Sequence, residues 1–172
     1  MRSEKDMTLL RDWHPGIDIK GWDITEKLDG VRVRWDGDTL WTREGNAVCA
    51  PAWFTKGLPA SLELDAEVHA GPSGFQIARK AVQYGPDFFV KPVRLCVFDT
   101  VCDGRYIERL QRACKAIGEN AAITTAKILA PCDNIIRLLS HIQETGGEGL
   151  VVRSPADTSY RPGRSSLALR IV

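Results

Sequence analysis

The sequence predicts an α+β fold, with mainly antiparallel sheets flanked by helices. Short segments of alternating apolar and polar residues, bounded by Gly, Asp and Asn turns, recur along the chain and dominate it. Only a few stretches have helical spacing, and they lie outside those segments. The 172 residues, 44% hydrophobic and 26% charged, suit one domain, or one with a small appendage, and can fill a real core.

Met7 to Leu10 is a short apolar patch that reads as a short helix or a loose arm within residues 1–12. After the His14-Pro15-Gly16 break, Ile17 to Thr25 alternates loosely. Val31 to Trp35 alternates strictly, apolar on one face and basic on the other. Asp36-Gly37-Asp38 is a tight turn, and Thr39 to Arg43 returns as the paired strand. Glu44-Gly45-Asn46 turns again, and Pro51 to Pro59 holds one or two helical turns.

Leu62 to Val68 is a strand with Glu63, Asp65 and Glu67 on one face. Phe75 to Val82 has helical spacing, and Val93 to Asp99 is a buried strand. Tyr106 to Ile117 is the clearest helix, with Ile107, Leu110, Cys114 and Ile117 at intervals of three and four. Ile123 to Leu129 is a short strand, and Asp133 can cap a helix that ends at Gly146-Gly147. Glu148 to Arg153 is a strand, a loop carries Arg161 and Arg164, and Leu167 to Val172 is the final strand.

The formal net charge of +1 gives no polyelectrolyte signal, so any nucleic-acid binding must come from local clustering. No apolar run approaches the roughly 18 residues of a membrane span, and no secretory signal opens the chain, which points to the cytoplasm. The five cysteines have no Cys-x-x-Cys spacing, which favours free thiols in a reducing compartment over a disulfide framework or zinc site.

The chemistry centres on Glu26-Lys27-Leu28-Asp29-Gly30-Val31-Arg32. A protonated lysine is a poor nucleophile, and neighbouring carboxylates raise its pKa further. Asp65/Glu67, Phe98/Asp99 and Glu148/Arg153 also stand at strand ends or beside buried strands. Converged with Lys27, such carboxylates suit a hard divalent cation holding a triphosphate, and hence attack by the amine on phosphorus. Taken singly, Lys27 reads as a solvated lysine, Phe98 as core, and Glu63/Asp65/Glu67 as a solvent-facing strand.

In order along the chain, these segments resemble the motifs of the nucleotidyltransferase domain of ATP-dependent DNA ligases, a superfamily shared with RNA ligases and mRNA capping enzymes. Lys27-Leu28-Asp29-Gly30 matches Lys-x-Asp-Gly, and Thr42-Arg43-Glu44-Gly45 is similar to Ser-Arg-x-Gly. Leu64-Asp65-Ala66-Glu67 matches Asp-Gly-Glu with Ala66 for glycine. Val97-Phe98-Asp99 resembles the aromatic strand and Glu148 to Arg153 the Glu-Gly-hydrophobic motif. Leu167 to Val172 stands where Lys-x-Lys belongs, with Arg170 and Val172 in place of the two lysines. The likeness runs from about Trp22 onward and is greatest to the short bacterial ATP-dependent DNA ligases.

The resemblance implies the ligase/capping-enzyme nucleotidyltransferase fold (ATP-grasp-like) over residues 1–172. It implies formation of lysyl-AMP on Lys27 with ATP and Mg²⁺ or Mn²⁺, then sealing of nicked double-stranded DNA in replication, repair and recombination. Phe98 and Val151 would sandwich adenine, with selection by backbone groups near Thr25 and Glu26. Arg32 and Glu67 would hold the ribose, and Asp29 and Glu148 the metal. Arg170 would contact the α-phosphate and Arg43 the 5′-phosphate of the nick, while Arg34, Arg161 and Arg164 would contact the DNA backbone. The OB-fold domain that normally follows in the family is not expected within these residues, which leaves room for a separate DNA-clamping partner or domain. With valine at 172, reduced efficiency is expected. The alternatives are a non-catalytic module that binds nicked DNA or nucleotide, and an RNA ligase or capping-type enzyme.

Overall fold

The computed structural model describes residues 6–172; the first five residues of the expected N-terminal arm lie outside it. Ten strands and four helices follow in chain order. They are β1 (Thr8–Asp12), β2 (Asp23–Lys27), β3 (Gly30–Trp35), β4 (Leu40–Thr42), β5 (Ala47–Val48), α1 (Ala52–Thr55), β6 (Leu64–His69) and α2 (Phe75–Tyr84). Then come β7 (Arg94–Thr100), α3 (Tyr106–Ala116), β8 (Ile123–Thr125), α4 (Ile135–Glu144), β9 (Gly149–Arg153) and β10 (Gly163–Ile171).

The strands form two sheets, ordered β1-β10-β9-β2 and β5-β4-β3-β6-β7-β8. All neighbours are antiparallel except β1 with β10 and β7 with β8. Each sheet buries one face under helices. On the larger sheet, Val33, Ala66, Val68, Leu95 and Val97 pack with Phe54 of α1, Ala78 and Ala81 of α2, and Ala113 of α3. On the smaller, Ile24, Leu150, Val152, Leu169 and Ile171 pack with Ile135, Leu138, Leu139 and Ile142 of α4. Period-two alternation then sends the polar side chains of both sheets to the opposite faces, which meet each other. Arg32 of β3 reaches the Thr8 carbonyl of β1 at 2.7 Å, and Arg153 of β9 lies 5.9 Å from the Phe98 ring of β7.

Three expectations are corrected. Residues 8–12 form a strand, neither helix nor loose arm, because they pair in parallel with β10, a segment about 150 residues distant that local periodicity cannot reveal. That final strand begins at Gly163, so Arg164 is a strand residue and not part of a loop. The cap of α4 is Asn134 and not Asp133, since the Asn134 side chain accepts the Arg137 N–H at 3.0 Å. No described helix is long and apolar enough to cross a membrane.

Candidate active site between the sheets

The Lys27 segment is where the chain crosses between sheets. Lys27 ends β2 in the smaller sheet, Gly30 opens β3 in the larger, and only Leu28 and Asp29 join them. The crossing explains the glycine: a Cβ at Gly30 would stand 2.3 Å from the Val68 carbonyl oxygen of β6, a clash no side chain survives. The crossing also puts Lys27 and Arg32 on opposing walls of one space.

On the smaller sheet's inner face, the register pairs Lys27 with Gly149, Thr25 with Val151, and Asp23 with Arg153. On the other side of β9, Arg170 stands opposite Val151. The Lys27 Nζ makes an ion pair with Glu148, just before β9. Glu26, one residue away, is exposed and turned to the other face, toward Gly147. β2 is the edge strand of its sheet, and its Ile24 carbonyl accepts Leu129 N–H at 2.8 Å.

On the larger sheet, Arg32 stands opposite Glu67, and Glu67 opposite Cys96. Arg32 forks onto Asp65, with Nε–Oδ1 at 2.9 Å and Nη2–Oδ2 at 2.5 Å, and its guanidinium sits 5.4 Å from the Phe98 centroid. Burial disfavours charge on Arg32, but Asp65 outweighs it and the pKa is raised. Asp65 is fully buried and also accepts the Tyr160 hydroxyl at 2.6 Å. Glu67 is pushed up to about 8, chiefly by burial; Arg32 and Lys27 oppose the rise, while Asp65 and Glu148 add to it. The charges felt by Glu67 therefore come from both sheets, which marks this as one site.

The structure brings together Thr25, Lys27, Arg32, Glu67, Phe98, Glu148, Val151 and Arg170 around the facing sheets, with Asp29 in the link between β2 and β3. Arg170 is half-exposed and shares its charge with Asp12 of β1 at 2.5 Å. Ala66 sits in β6, fully buried in the core and opposite Val33, at a register shift in the pairing with β7 between Asp65 and Ala66. Val172 is exposed and packs against Gly149, beside Lys27. Arg43, Arg161 and Arg164 lie outside this space, exposed, with Arg164 Nη1 donating to the Leu10 carbonyl at 3.1 Å.

Arg34 does not join any exposed group, and its expected contact with DNA is corrected. It is 5% exposed, ion-paired with Glu63 at 2.5 Å, bonded to the Asp6 carbonyl and set against the Tyr160 ring. The alternation at β3 reported a basic face, but at Arg34 the segment before β1 and the loop before β10 cover it. Sequence reasoning also left Arg153, Tyr106, Tyr160 and Asp12 without roles. Arg153 closes the Glu-Gly-hydrophobic motif, and that position was its one available signal.

A strand carrying Lys27 faces a sheet carrying an aromatic ring and carboxylates, and that arrangement is what the comparisons with known proteins bear on. No family model matches the chain. It is 31% identical to the DNA ligase of Haemophilus influenzae, over 98% of this chain but 64% of that protein. Among solved structures it superposes on a Lig E DNA ligase with a TM-score of 0.81 and 28% identity, covering 96% of this chain and 67% of that one. The adenylate of Chlorella virus DNA ligase gives a TM-score of 0.76 at 20% identity, covering 98% and 67%. The chain shares the fold of these DNA ligases, is similar to them over nearly its whole length, and spans about two thirds of theirs.

Proposed function

We propose that this domain transfers AMP from ATP to Lys27 and from there to the 5′-phosphate of nicked DNA. The observation that carries the reading is the placement of Lys27, against Glu148 and across from Glu67, Arg32 and Phe98, where the two sheets face each other.

Lys27 Nζ attacks the α-phosphorus, an N–P bond forms, and the bond to the bridging oxygen breaks as pyrophosphate leaves. The amine must first lose a proton, and the Glu148 carboxylate touching it is an acceptor within reach. Phe98 and Val151 hold the base by stacking. Glu67, protonated at neutral pH, can donate a hydrogen bond to a ribose oxygen. Arg32 lends positive charge, while its fork stays anchored to Asp65. Arg170 is the cation nearest the place of the missing lysines, and its pairing with Asp12 dilutes that charge.

The residues fit a divalent cation of the Mg²⁺ type. Among the described residues no group of three or more His, Cys, Asp or Glu forms a cage. Asp65 is taken by Arg32, which leaves Asp29 and Glu148. One or two carboxylates beside substrate phosphates is the usual Mg²⁺ arrangement. The bound ion supplies charge neutralisation on the triphosphate. In the second step the DNA 5′-phosphate oxygen displaces Lys27 from phosphorus, and in the third the 3′-hydroxyl displaces AMP. Arg43, Arg161 and Arg164 would contribute sequence-independent backbone contacts.

The test is intact-mass analysis after incubation with ATP and Mg²⁺. A covalent AMP adduct is expected on the unsubstituted chain and not on Lys27→Ala; its absence from both would defeat the reading. GTP alongside separates a ligase from a capping-type enzyme. Because Val172 offers no cation, sealing of a pre-adenylated nick is expected to outpace self-adenylation.

A further inference from the structure

Arg153 is buried, 6% exposed, on the site's inner wall. Its guanidinium lies 4.1 Å from the Tyr106 ring centroid and 5.9 Å from that of Phe98. No described residue accepts a hydrogen bond from it. The Tyr106 hydroxyl beside it is buried, within reach of Thr25. The carboxylates of Asp23, its cross-strand neighbour, and of Asp99 offset its charge, while stacking on a ring engages only the faces of a guanidinium and leaves its five N–H donors able to meet an in-plane acceptor.

The register says which acceptor. Along the paired strands β2 and β9, one face carries Lys27/Gly149, then Thr25/Val151, then Asp23/Arg153. Successive pairs are about 7 Å apart. With the α-phosphate at Lys27 and the purine between Phe98 and Val151, Arg153 lies beyond the base, at the edge remote from the sugar. That is the Watson–Crick edge. In adenine it presents the N1 acceptor and the N6 amino group, whereas in guanine it presents an N1–H donor and O6. Guanidinium can only donate.

We propose that Arg153 reads the base: its guanidinium donates to N1 of an adenine held between Phe98 and Val151, and thereby selects adenine over guanine. The proposal rests on the nucleotidyl-transfer reading above and assigns the selectivity of the same site. Facing guanine, donor would meet donor, and the backbone acceptors near Thr25 and Glu26 would meet O6.

The experiment is equilibrium binding of ATP, 1-deaza-ATP and 7-deaza-ATP to the whole chain in EDTA, which prevents transfer. 1-Deaza-ATP, which replaces the N1 acceptor with C–H, is expected to bind roughly ten- to a hundredfold more weakly than ATP, the range for a charged donor left unpaired. 7-Deaza-ATP is expected to bind like ATP. Arg153→Met should erase the difference between ATP and 1-deaza-ATP, and Arg153→Lys, which keeps a donor, should retain part of it. Equal binding of ATP and 1-deaza-ATP to the unsubstituted chain overturns the proposal without any variant having to fold. So does a preference that survives in Arg153→Met. If ATP binds with N1 discrimination but no adduct forms with Mg²⁺, lysyl transfer fails and base reading stands. If an adduct forms without N1 discrimination, transfer stands and base reading fails. If ATP does not bind, both fail.

Discussion

Glu67 shows how much a single side chain reports about this site. It shares its space with Lys27, Arg32, Asp65 and Glu148, yet its carboxyl is pushed up to about 8 because burial outweighs the two cations. An unfolded glutamate titrates near 4.5. The folded state therefore holds the proton more tightly, and the contribution to stability is full below about 4.5 and is lost as pH rises through about 8. In the nucleotide-free, metal-free protein, unfolding free energy is expected to fall across that window by up to about 1.4 kcal/mol per pH unit from this group. Glu67→Gln should flatten the dependence, measured by urea unfolding at several pH values. An unchanged slope would show that Glu67 ionises freely in the fold. At Gly30, by contrast, the constraint is steric. Gly30→Ala would drive a methyl into the Val68 carbonyl and force β3 and β6 apart, at a cost of about 1–3 kcal/mol, read from the denaturation midpoint.

At the scale of elements, the buried cluster of Arg109, Asp99 and Asp157 ties β7 and α3 to the loop leading to β10. Arg109 Nε and Nη2 bond both Asp99 oxygens at 2.8 and 3.0 Å, Nη2 also reaches Asp157 at 3.0 Å, and Nη1 reaches the Gly104 carbonyl at 2.8 Å. Burial opposes charge on Arg109, but the two carboxylates outweigh it and its pKa is raised. Arg109→Met strands Asp99 at 2% exposure, and the expected loss is about 3–5 kcal/mol in chemical denaturation. A loss under about 1 kcal/mol would mean that water relaxes the cluster. This network was invisible in the sequence, where the periodicity of the helix marks its apolar positions and says nothing of Arg109. The hairpin β3–β4 and helix α3 were legible because turn chemistry and periodicity are local. The pairing of β1 with β10 was not, since nothing in residues 8–12 encodes a partner at the other end of the chain. Lys27, Glu67 and Glu148 were singled out by motif order, and the fold brings them around one space. Arg34 and Arg153 were misjudged or passed over because alternation gives a side chain's face, and only the tertiary fold says what covers it.

For the whole molecule, two helix-backed sheets facing each other leave the charged residues in two populations. Arg32, Arg34, Arg109 and Arg153 are spent inside, on carboxylates, carbonyls and rings. With a formal net charge of +1, the remaining cations cannot attract DNA by bulk charge. If the domain engages nicked DNA, exposed arginines must do so in small number, and Arg161, just before β10, and Arg164, at its start, are the candidates the fold leaves outside. Each phosphate contact contributes a slope of about −0.9 in log K against log salt. Replacing both arginines by alanine should therefore make the slope shallower by about 1.8 and weaken binding most at low salt. Fluorescence anisotropy of a nicked duplex across a salt series measures it. Arg164 also donates to the Leu10 carbonyl of β1, so a thermal melt of the same variant separates lost contact from a loosened strand. A shallower slope with an unchanged melt assigns the two arginines to the DNA backbone. An unchanged slope places the phosphate contacts elsewhere, with Arg43 on the turn after β4 as the next position to substitute.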